Sequence, residues 1–202
     1  MRPSDYAVCD GFSCGDVDRR LHSVPAIDVT AARISLVVIS EVAAPRARDG
    51  YYEADDALFA RTTLQAFRDA GADAGSVAGL VERGVYLTTA VKCAKTAYAI
   101  QTSTVNACSQ LLERELALFP NVRAILLMGD VAIKALCAIA RRAGEPRPIP
   151  AGSTYKLRGP EYTWRGVRVF PSYLQAGPSF FIEASKRRMI AEDIAAALAL
   201  VK

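Results

Sequence analysis

Four of the five cysteines in this chain have a spacing that can hold a metal cluster. Cys9 and Cys14 stand near the N-terminus, ahead of the first apolar run. Cys93 ends the run VYLTTAVKC, and Cys108 begins the helix-like run CSQLLERELALFP fifteen residues later. The same residues could also be reduced thiols without a ligand, and the spacing alone does not decide between these two interpretations. The fifth, Cys137, falls on an apolar helix face and is predicted to be a small core residue.

The composition is that of an ordinary globular protein. The chain has 202 residues, of which 51% are hydrophobic, enough for one domain with a sizeable core. It contains no run of about 18 uncharged apolar residues, so we expect no membrane span. The N-terminal sequence MRPSDYAVCDGF lacks the apolar stretch of a signal peptide. We therefore expect a cytoplasmic, monomeric protein whose cysteines are thiols or metal ligands rather than disulfides. The net charge of +4 permits an anionic partner and does not require one.

The elements that must position these residues alternate between strand-like and helix-like patterns. Short apolar runs predict buried strands, and steps of three and four between apolar residues predict helices after them. The predicted strands are 34–40, 84–91, 123–129 and 166–173, and the predicted helices are 57–70, 105–119, 130–139 with Asp130 as its cap, and a C-terminal helix carrying Ile190, Ile194 and Leu198.

This alternation predicts a single three-layer α/β/α domain with a central, mainly parallel sheet of roughly four strands. The domain is predicted to span residues 34–202, with residues 1–33 as an N-terminal arm that packs on it. Residues 144–163 contain four prolines and are predicted to be a long loop or a small β excursion. Because ligands bind at the carboxyl ends of strands in such folds, the segments that directly follow the four strands are the candidate site.

Those segments resemble, in order, the motifs of the uracil-DNA glycosylase superfamily, and most closely its iron–sulfur-containing branch. That branch carries GEAPG after the first strand, Asn-x-x-Lys-Cys after the second, GxxA after the third and an HPS-type loop after the last. It also has a cysteine in the following helix, at the place of Cys108. The Lys-Cys to Cys108 interval and GDVA at 129–132 are the firmest matches. The resemblance covers residue 34 to the C-terminus and implies excision of uracil or another deaminated base from DNA.

The departures from the family pattern fall on residues that face the base. Thr89 stands where the family has the asparagine that reads uracil, and Phe170 stands where it has a histidine. Pro171 and Ser172 of the last motif are kept. The first motif keeps Glu41 and loses both glycines and the proline. The chemistry still requires a group that positions water and a pocket for an extruded base.

The candidate site residues follow from this correspondence. Each also has a structural interpretation, such as helix capping, core packing or a solvated charge. The candidate catalytic residues are Glu41 and Asp49; the candidate base-binding residues are Tyr51, Tyr52, Thr89, Phe170 and Ser172; the candidate DNA contacts are Lys92, Lys95, Leu174, Lys186 and Arg187.

The resemblance also implies a [4Fe-4S] cluster held by Cys9, Cys14, Cys93 and Cys108. A cubane cluster requires four thiolates, and four are present. The early pair is C-x4-C here, whereas the iron–sulfur branch usually has C-x2-C. Such a cluster would fasten the N-terminal arm to the sheet without redox chemistry on the substrate. Free, reduced cysteines remain the alternative.

Three functions are compatible with the sequence. The first is a glycosylase with an altered base pocket, acting on DNA. The second is a relative without catalytic activity that binds nucleic acid or a free nucleobase. The third is a doubly wound protein for a nucleotide or small anion, but SEVAAP after the first strand supplies no phosphate-binding glycine loop. Fold kinship does not by itself establish which one applies.

Overall fold

The computed structural model describes residues 1–201, with strands and helices in alternation along most of the chain. The strands are β1 (Val17–Asp18), β2 (Leu36–Val42), β3 (Val85–Val91), β4 (Ala94–Lys95), β5 (Ala124–Met128), β6 (Tyr162–Trp164) and β7 (Val167–Ser172). The α-helices are α1 (Leu58–Asp69), α2 (Val77–Glu82), α3 (Thr102–Leu116), α4 (Asp130–Arg142), α5 (Thr154–Leu157) and α6 (Ala184–Val201).

Five strands form the central sheet in the order β3-β2-β5-β7-β6. β2 runs parallel to both β3 and β5, and β5 runs parallel to β7. These are the four predicted strands, and the prediction of a mainly parallel α/β fold is confirmed. The fifth strand, β6, is antiparallel to β7 and lies in the proline-containing segment for which a β excursion was one of the two predictions.

Helices cover both faces of the sheet because successive strand residues point to opposite sides. On β2, Val37 and Ile39 pack in the cluster that contains the buried residues of α3 and α4. Leu36 and Val38 pack in the cluster that contains those of α1, α2 and α6. Every residue of β3 is buried, as expected for a strand of a sheet that is covered on both faces.

The N-termini of helices α4 and α3 differ from those predicted from the sequence. Gly129, with a φ of 106°, is the residue before α4, and Asp130 lies in the first turn, where it pairs with Lys134 at 2.5 Å. The prediction that Asp130 is the cap is therefore wrong.

Helix α3 begins before the predicted boundary because Asp16, far away in the chain, accepts hydrogen bonds from the Gln101 amide at 2.6 Å and from the Thr104 hydroxyl. A carboxylate far away in the sequence thus caps the N-terminus of α3.

The N-terminal residues lie against the helix and strand that carry Cys93 and Cys108. β1 pairs antiparallel with β4, directly after Cys93. Asp10 accepts a hydrogen bond from Arg114 of α3 at 3.0 Å, and the Ser23 amide donates to the Lys92 carbonyl at 2.7 Å. These contacts hold the arm at one edge of the candidate site. Among residues 1–201, no helix is long and apolar enough to cross a membrane.

Candidate functional site

Three cavities open where the predicted site segments meet. The tyrosine cavity, about 240 Å³, is lined by Tyr51, Tyr52, Thr88, Thr89 and residues of the N-terminal arm. The glutamate cavity, about 220 Å³, is lined by Glu41, Gly129, Leu174 and Lys186. The cysteine cavity, about 230 Å³, is lined by Cys9, Cys14, Cys93 and Cys108. The predicted residues that line cavities are therefore divided among three separate spaces.

The two tyrosines form an aromatic wall whose phenol groups are already bonded. Tyr51 is buried, and its hydroxyl contacts Ser40 and accepts from the Gln175 amide at 3.1 Å. The Tyr52 hydroxyl accepts from the Leu87 amide and donates to the Leu87 carbonyl, both at 2.9 Å. Since β3 is the outer strand of the sheet, Tyr52 thereby covers part of its open edge. Burial raises the pKa of Tyr51 to about 12 and also raises that of Tyr52, so both phenols stay neutral.

Thr89 lines the tyrosine cavity, and its hydroxyl donates to the Val91 carbonyl at 3.0 Å. The neighbouring Thr88 hydroxyl donates to the Glu115 carboxylate at 2.9 Å and accepts from the Lys92 ammonium at 2.7 Å. The floor of this cavity thus rests on a buried polar network, and the threonine hydroxyl protons are already donated within the protein.

Lys92 is the centre of that network and not a surface residue. Its side chain is 0% exposed and forms an ion pair with Glu115, which is also 0% exposed. The ammonium additionally donates to the Thr89 carbonyl at 2.6 Å, and the Tyr86 hydroxyl donates to Glu115. The prediction that Lys92 contacts DNA phosphate is wrong in this structure, because its charge is enclosed and neutralised in the core. No sequence rule separates this lysine from a solvated one.

Glu41 is the predicted catalytic residue that the structure places at a cavity. It lies at the end of β2, half-buried, and its Oε1 accepts a hydrogen bond from the Val131 amide in the first turn of α4 at 3.3 Å. A Cβ on Gly129 would lie 2.5 Å from this carboxylate, so the glycine permits their close approach. Burial raises the pKa of Glu41, opposed by the Val131 amide and by Lys95.

Asp49, the other predicted catalytic residue, is bound by Arg46 at 2.6 Å and lines none of the three cavities. Phe170 and Ser172 line none of them either, contrary to their predicted base-binding role. Both lie within β7, so their side chains are directed to the faces of the sheet. The Arg168 guanidinium lies 4.7 Å from the centre of the Phe170 ring, and the Ser172 hydroxyl donates to Asp193 at 2.5 Å.

The remaining predicted DNA contacts lie at the surface. Lys95 is exposed and donates to the Tyr98 carbonyl at 3.0 Å. Lys186 pairs with Glu183 at 2.7 Å and lines the glutamate cavity together with Leu174. Arg187 pairs with Asp69 at 2.5 Å.

The cysteine cavity brings the four predicted thiols around one space. Cys93 and Cys108 are buried, Cys14 is half-buried and Cys9 is exposed. The Lys92 amide donates to Cys108 Sγ at 3.1 Å. Burial and the neighbouring cysteines raise the pKa of Cys93 to about 12 and also raise that of Cys108. Across residues 1–201, no group of three or more histidine, cysteine or acidic side chains converges tightly enough for a single metal ion.

The order and spacing of these loops can now be compared with known proteins. The sequence profile of the Uracil DNA glycosylase superfamily matches residues 38–192. The chain belongs to this superfamily. A Type-5 uracil-DNA glycosylase of Thermus thermophilus is 33% identical over 94 residues, which make up 46% of this chain and 43% of that relative. The chain thus spans less than half the length of the curated relative it matches.

This uracil-DNA-glycosylase-like chain also has a cavity residue that the motif comparison missed. His22, the only histidine, lines both the tyrosine cavity and the cysteine cavity from the N-terminal arm. Burial lowers the pKa of His22, and so does the charge of Lys92. As the single histidine of the sequence, His22 was a candidate for a functional residue. Because it lies far along the chain from every motif, the sequence gave no reason to place it at the site.

Proposed function

We propose that this protein is a DNA glycosylase that removes uracil or another deaminated base by hydrolysis of the N-glycosidic bond. The observation that carries the proposal is the position of Glu41. It stands at the carboxyl end of β2, at a cavity, with its carboxylate against the first turn of α4. A half-buried carboxylate at a helix N-terminus is suited to hold and activate a water molecule.

The tyrosine cavity is the proposed place for the extruded base. It joins the same loop as Glu41, since Ala43 and Ala44 line it. Two residues span at most about 7 Å of chain, so Glu41 and Ala43 are close along the backbone although they line different cavities. A base in the tyrosine cavity would place its sugar next to that loop. The aromatic wall offers apolar contact to the flat faces of a base, as base-flipping enzymes require.

In the proposed reaction, water attacks the anomeric carbon while the bond to the base breaks. The base leaves with the bonding electron pair, and the sugar gains positive character on the way. Glu41 in its ionised form accepts a proton from the water, and its negative charge stabilises the positive charge that develops on the sugar. Its raised pKa makes it a stronger base than an exposed glutamate, while the α4 amide keeps the ionised form accessible.

The direct test uses oligonucleotides that carry uracil, hypoxanthine or xanthine, with base release measured after alkaline strand cleavage. We expect release from at least one of them, and a loss of about 10²- to 10⁴-fold in rate in Glu41→Gln. Asp56→Asn is the matched control, since Asp56 is an exposed carboxylate that lines none of the three cavities. Equal losses in both variants would contradict the role of Glu41.

A second function, base binding without cleavage, is favoured by one specific observation. Thr89 replaces the family asparagine, and its hydroxyl proton is already donated to Val91. This function predicts salt-dependent DNA binding with no base release from any of the three oligonucleotides. Absence of binding at low salt would exclude it.

We further propose that DNA contacts the surface formed by Lys95, Leu174, Lys186 and Arg187. Lys95 ends β4, which follows β3 closely; Leu174 lies on the loop after β7, and Lys186 and Arg187 lie in the first turn of α6. Because Lys186 and Arg187 already pair with acidic residues, phosphate binding would exchange partners there, whereas Lys95 has no acidic partner within ion-pair distance among residues 1–201. Lys95→Ala is therefore expected to lower the salt dependence of binding most, by about one unit of slope.

For the cysteine cavity we propose an iron–sulfur cluster held by Cys9, Cys14, Cys93 and Cys108. The donor set fits: four thiols surround one cavity, and the Lys92 amide donates to Cys108 Sγ, as amides do to cluster sulfurs. The cluster would supply a cross-link between the arm, residues 1–33, and the domain, residues 34–202. An iron-free protein whose four cysteines all react with alkylating reagents in the folded state would contradict this proposal.

A further inference from the structure

The tyrosine and threonine hydroxyls of the tyrosine cavity have little hydrogen-bonding capacity left for a ligand. The hydroxyls of Tyr51 and Tyr52 are bonded to Ser40, Gln175 and the Leu87 backbone. The hydroxyl protons of the two threonines are donated to Glu115 and to the Val91 carbonyl. These groups shape the cavity, but most of their hydrogen-bonding capacity is satisfied within the protein.

The N-terminal arm contributes side chains that are not hydrogen-bonded within the protein. The side chains of His22 and Ser23 line the cavity and form no hydrogen bond with any of residues 1–201. Their backbone is nevertheless fixed: the Ser23 amide donates to the Lys92 carbonyl at 2.7 Å, and the His22 amide donates to the Arg19 carbonyl at 3.2 Å. The backbone of His22 is thus fixed beside the cavity, and its exposed imidazole has both ring nitrogens free of hydrogen bonds with residues 1–201.

We infer that His22 of the N-terminal arm reads the edge of the base in the tyrosine cavity. This inference rests on the proposed use of that cavity for a base. A neutral imidazole carries one donor and one acceptor. Uracil, hypoxanthine and xanthine all present an exocyclic carbonyl beside a ring N–H, so the imidazole N–H can donate to that carbonyl. The arm would then supply a recognition group that the sheet loops lack at Thr89 and Phe170.

The chain offers a direct experiment, because one histidine gives one set of imidazole C–H resonances in the NMR spectrum of the wild-type protein. The probe is an oligonucleotide with 2′-fluoro-2′-deoxyuridine, in which fluorine destabilises positive charge on the sugar and so slows base release. The comparison strand carries 2′-fluoro-2′-deoxycytidine at that position, because cytosine has an amino group beside a ring nitrogen without hydrogen where uracil has the carbonyl and the N–H. We expect the His22 resonances to shift with the uracil strand and to shift much less with the cytosine strand.

Binding affinities of variants provide the second measurement. His22→Ala is expected to weaken binding of the uracil strand about tenfold, the effect of about 1.4 kcal/mol, and His22→Asn to recover part of it through the amide. Thr30→Ala is the control, since Thr30 is an exposed arm residue that lines no described cavity and makes no side-chain cap. Its affinity should equal that of the wild type.

The outcomes separate this inference from the proposed function. If the protein releases uracil while the His22 resonances stay unshifted and His22→Ala binds normally, His22 does not read the base and the glycosylase proposal stands. If the resonances shift selectively and no base is released, the base-reading role is supported and the glycosylase proposal fails. An equal shift with the cytosine strand, or an equal loss in Thr30→Ala, would overturn the inference.

Discussion

The cysteine cavity and the tyrosine cavity lie on either side of Lys92 but differ in how closely their sequences resemble the superfamily pattern. The backbone amide of Lys92 binds Cys108, while its side chain binds Thr88 beneath the tyrosine cavity. The cysteine spacing around Cys93 resembles the iron–sulfur branch, whereas the asparagine position is Thr89. The difference suggests a physical rule. Four thiols that must converge leave little freedom in position, but a hydrogen bond to a base can be supplied from another segment, here by His22.

The largest expected effect comes from breaking the ion pair that connects the two cavities. Glu115→Ala leaves the Lys92 ammonium charged and unpaired in the core, which costs about 3–5 kcal/mol of unfolding free energy. Denaturant unfolding measures this loss. The double variant Lys92→Met with Glu115→Leu removes both charges and is expected to recover most of it. A loss below about 1 kcal/mol in Glu115→Ala would mean that the pair is not buried in solution.

A smaller effect is expected when only the cysteine cavity is changed. Cys108→Ser should abolish iron binding, expose the arm to proteases and cost about 2–4 kcal/mol, by analogy with covalent cross-links of similar loops. Cys137→Ser is the matched control, because Cys137 is half-buried on α4 and lies outside the cysteine cavity. Iron and sulfide analysis with limited proteolysis tests both. Equal iron content in the two variants would contradict the cysteine assignment.

The pH dependence of base release tests the Glu41 side of the site. Burial raises the pKa of Glu41, and only the ionised carboxylate can accept a proton from water. The rate should therefore rise with pH through a pKa above the usual glutamate range, falling about tenfold per pH unit below it. Single-turnover rates measured against pH give this profile. A midpoint at the ordinary glutamate pKa would contradict the effect of burial, and the same profile in Glu41→Gln would assign the titration to another group.

The smallest effect is expected from restoring the family residue in the tyrosine cavity. Thr89→Asn adds an amide that can bind the edge of uracil, and we expect about tenfold tighter binding of the uracil strand. Thr163→Asn on the exposed face of β6 is the control. Binding is measured with the same fluorinated strands. Unchanged affinity in Thr89→Asn would indicate that the base does not approach this part of the cavity.

The sequence predicted the sheet well because buried parallel strands leave a simple pattern. All residues of β3 and β5 are buried, and the apolar runs at 84–91 and 123–129 found both strands. Short elements such as α2 were missed, since six residues are too few for a clear period. The β1–β4 pair was missed because it joins distant parts of the chain, and no local pattern marks it.

For the site, Glu41 and Thr89 lie near the carboxyl ends of β2 and β3, the tyrosines follow β2, and all four line cavities, while their functional roles stay predictions. The prediction of Lys92 as a surface DNA contact failed, since a lysine can lie either at the surface or in a buried ion pair. The sequence also misplaced Phe170 and Ser172, because both lie within β7, whereas Tyr173 and Leu174, which line the glutamate cavity, follow the strand. Which outcome occurs depends on packing against other elements.

By itself, the sequence determined the α/β fold, the resemblance to the superfamily and the choice of four cysteines as candidate cluster ligands. Periodicity and spacing, on which these rest, are local properties of a chain. Only the tertiary structure decided that Lys92 is enclosed with Glu115, that the four thiols surround one cavity and that His22 lies beside another. Each of these depends on contacts between residues far apart in the chain. Burial and hydrogen bonding then fix what their side chains can do.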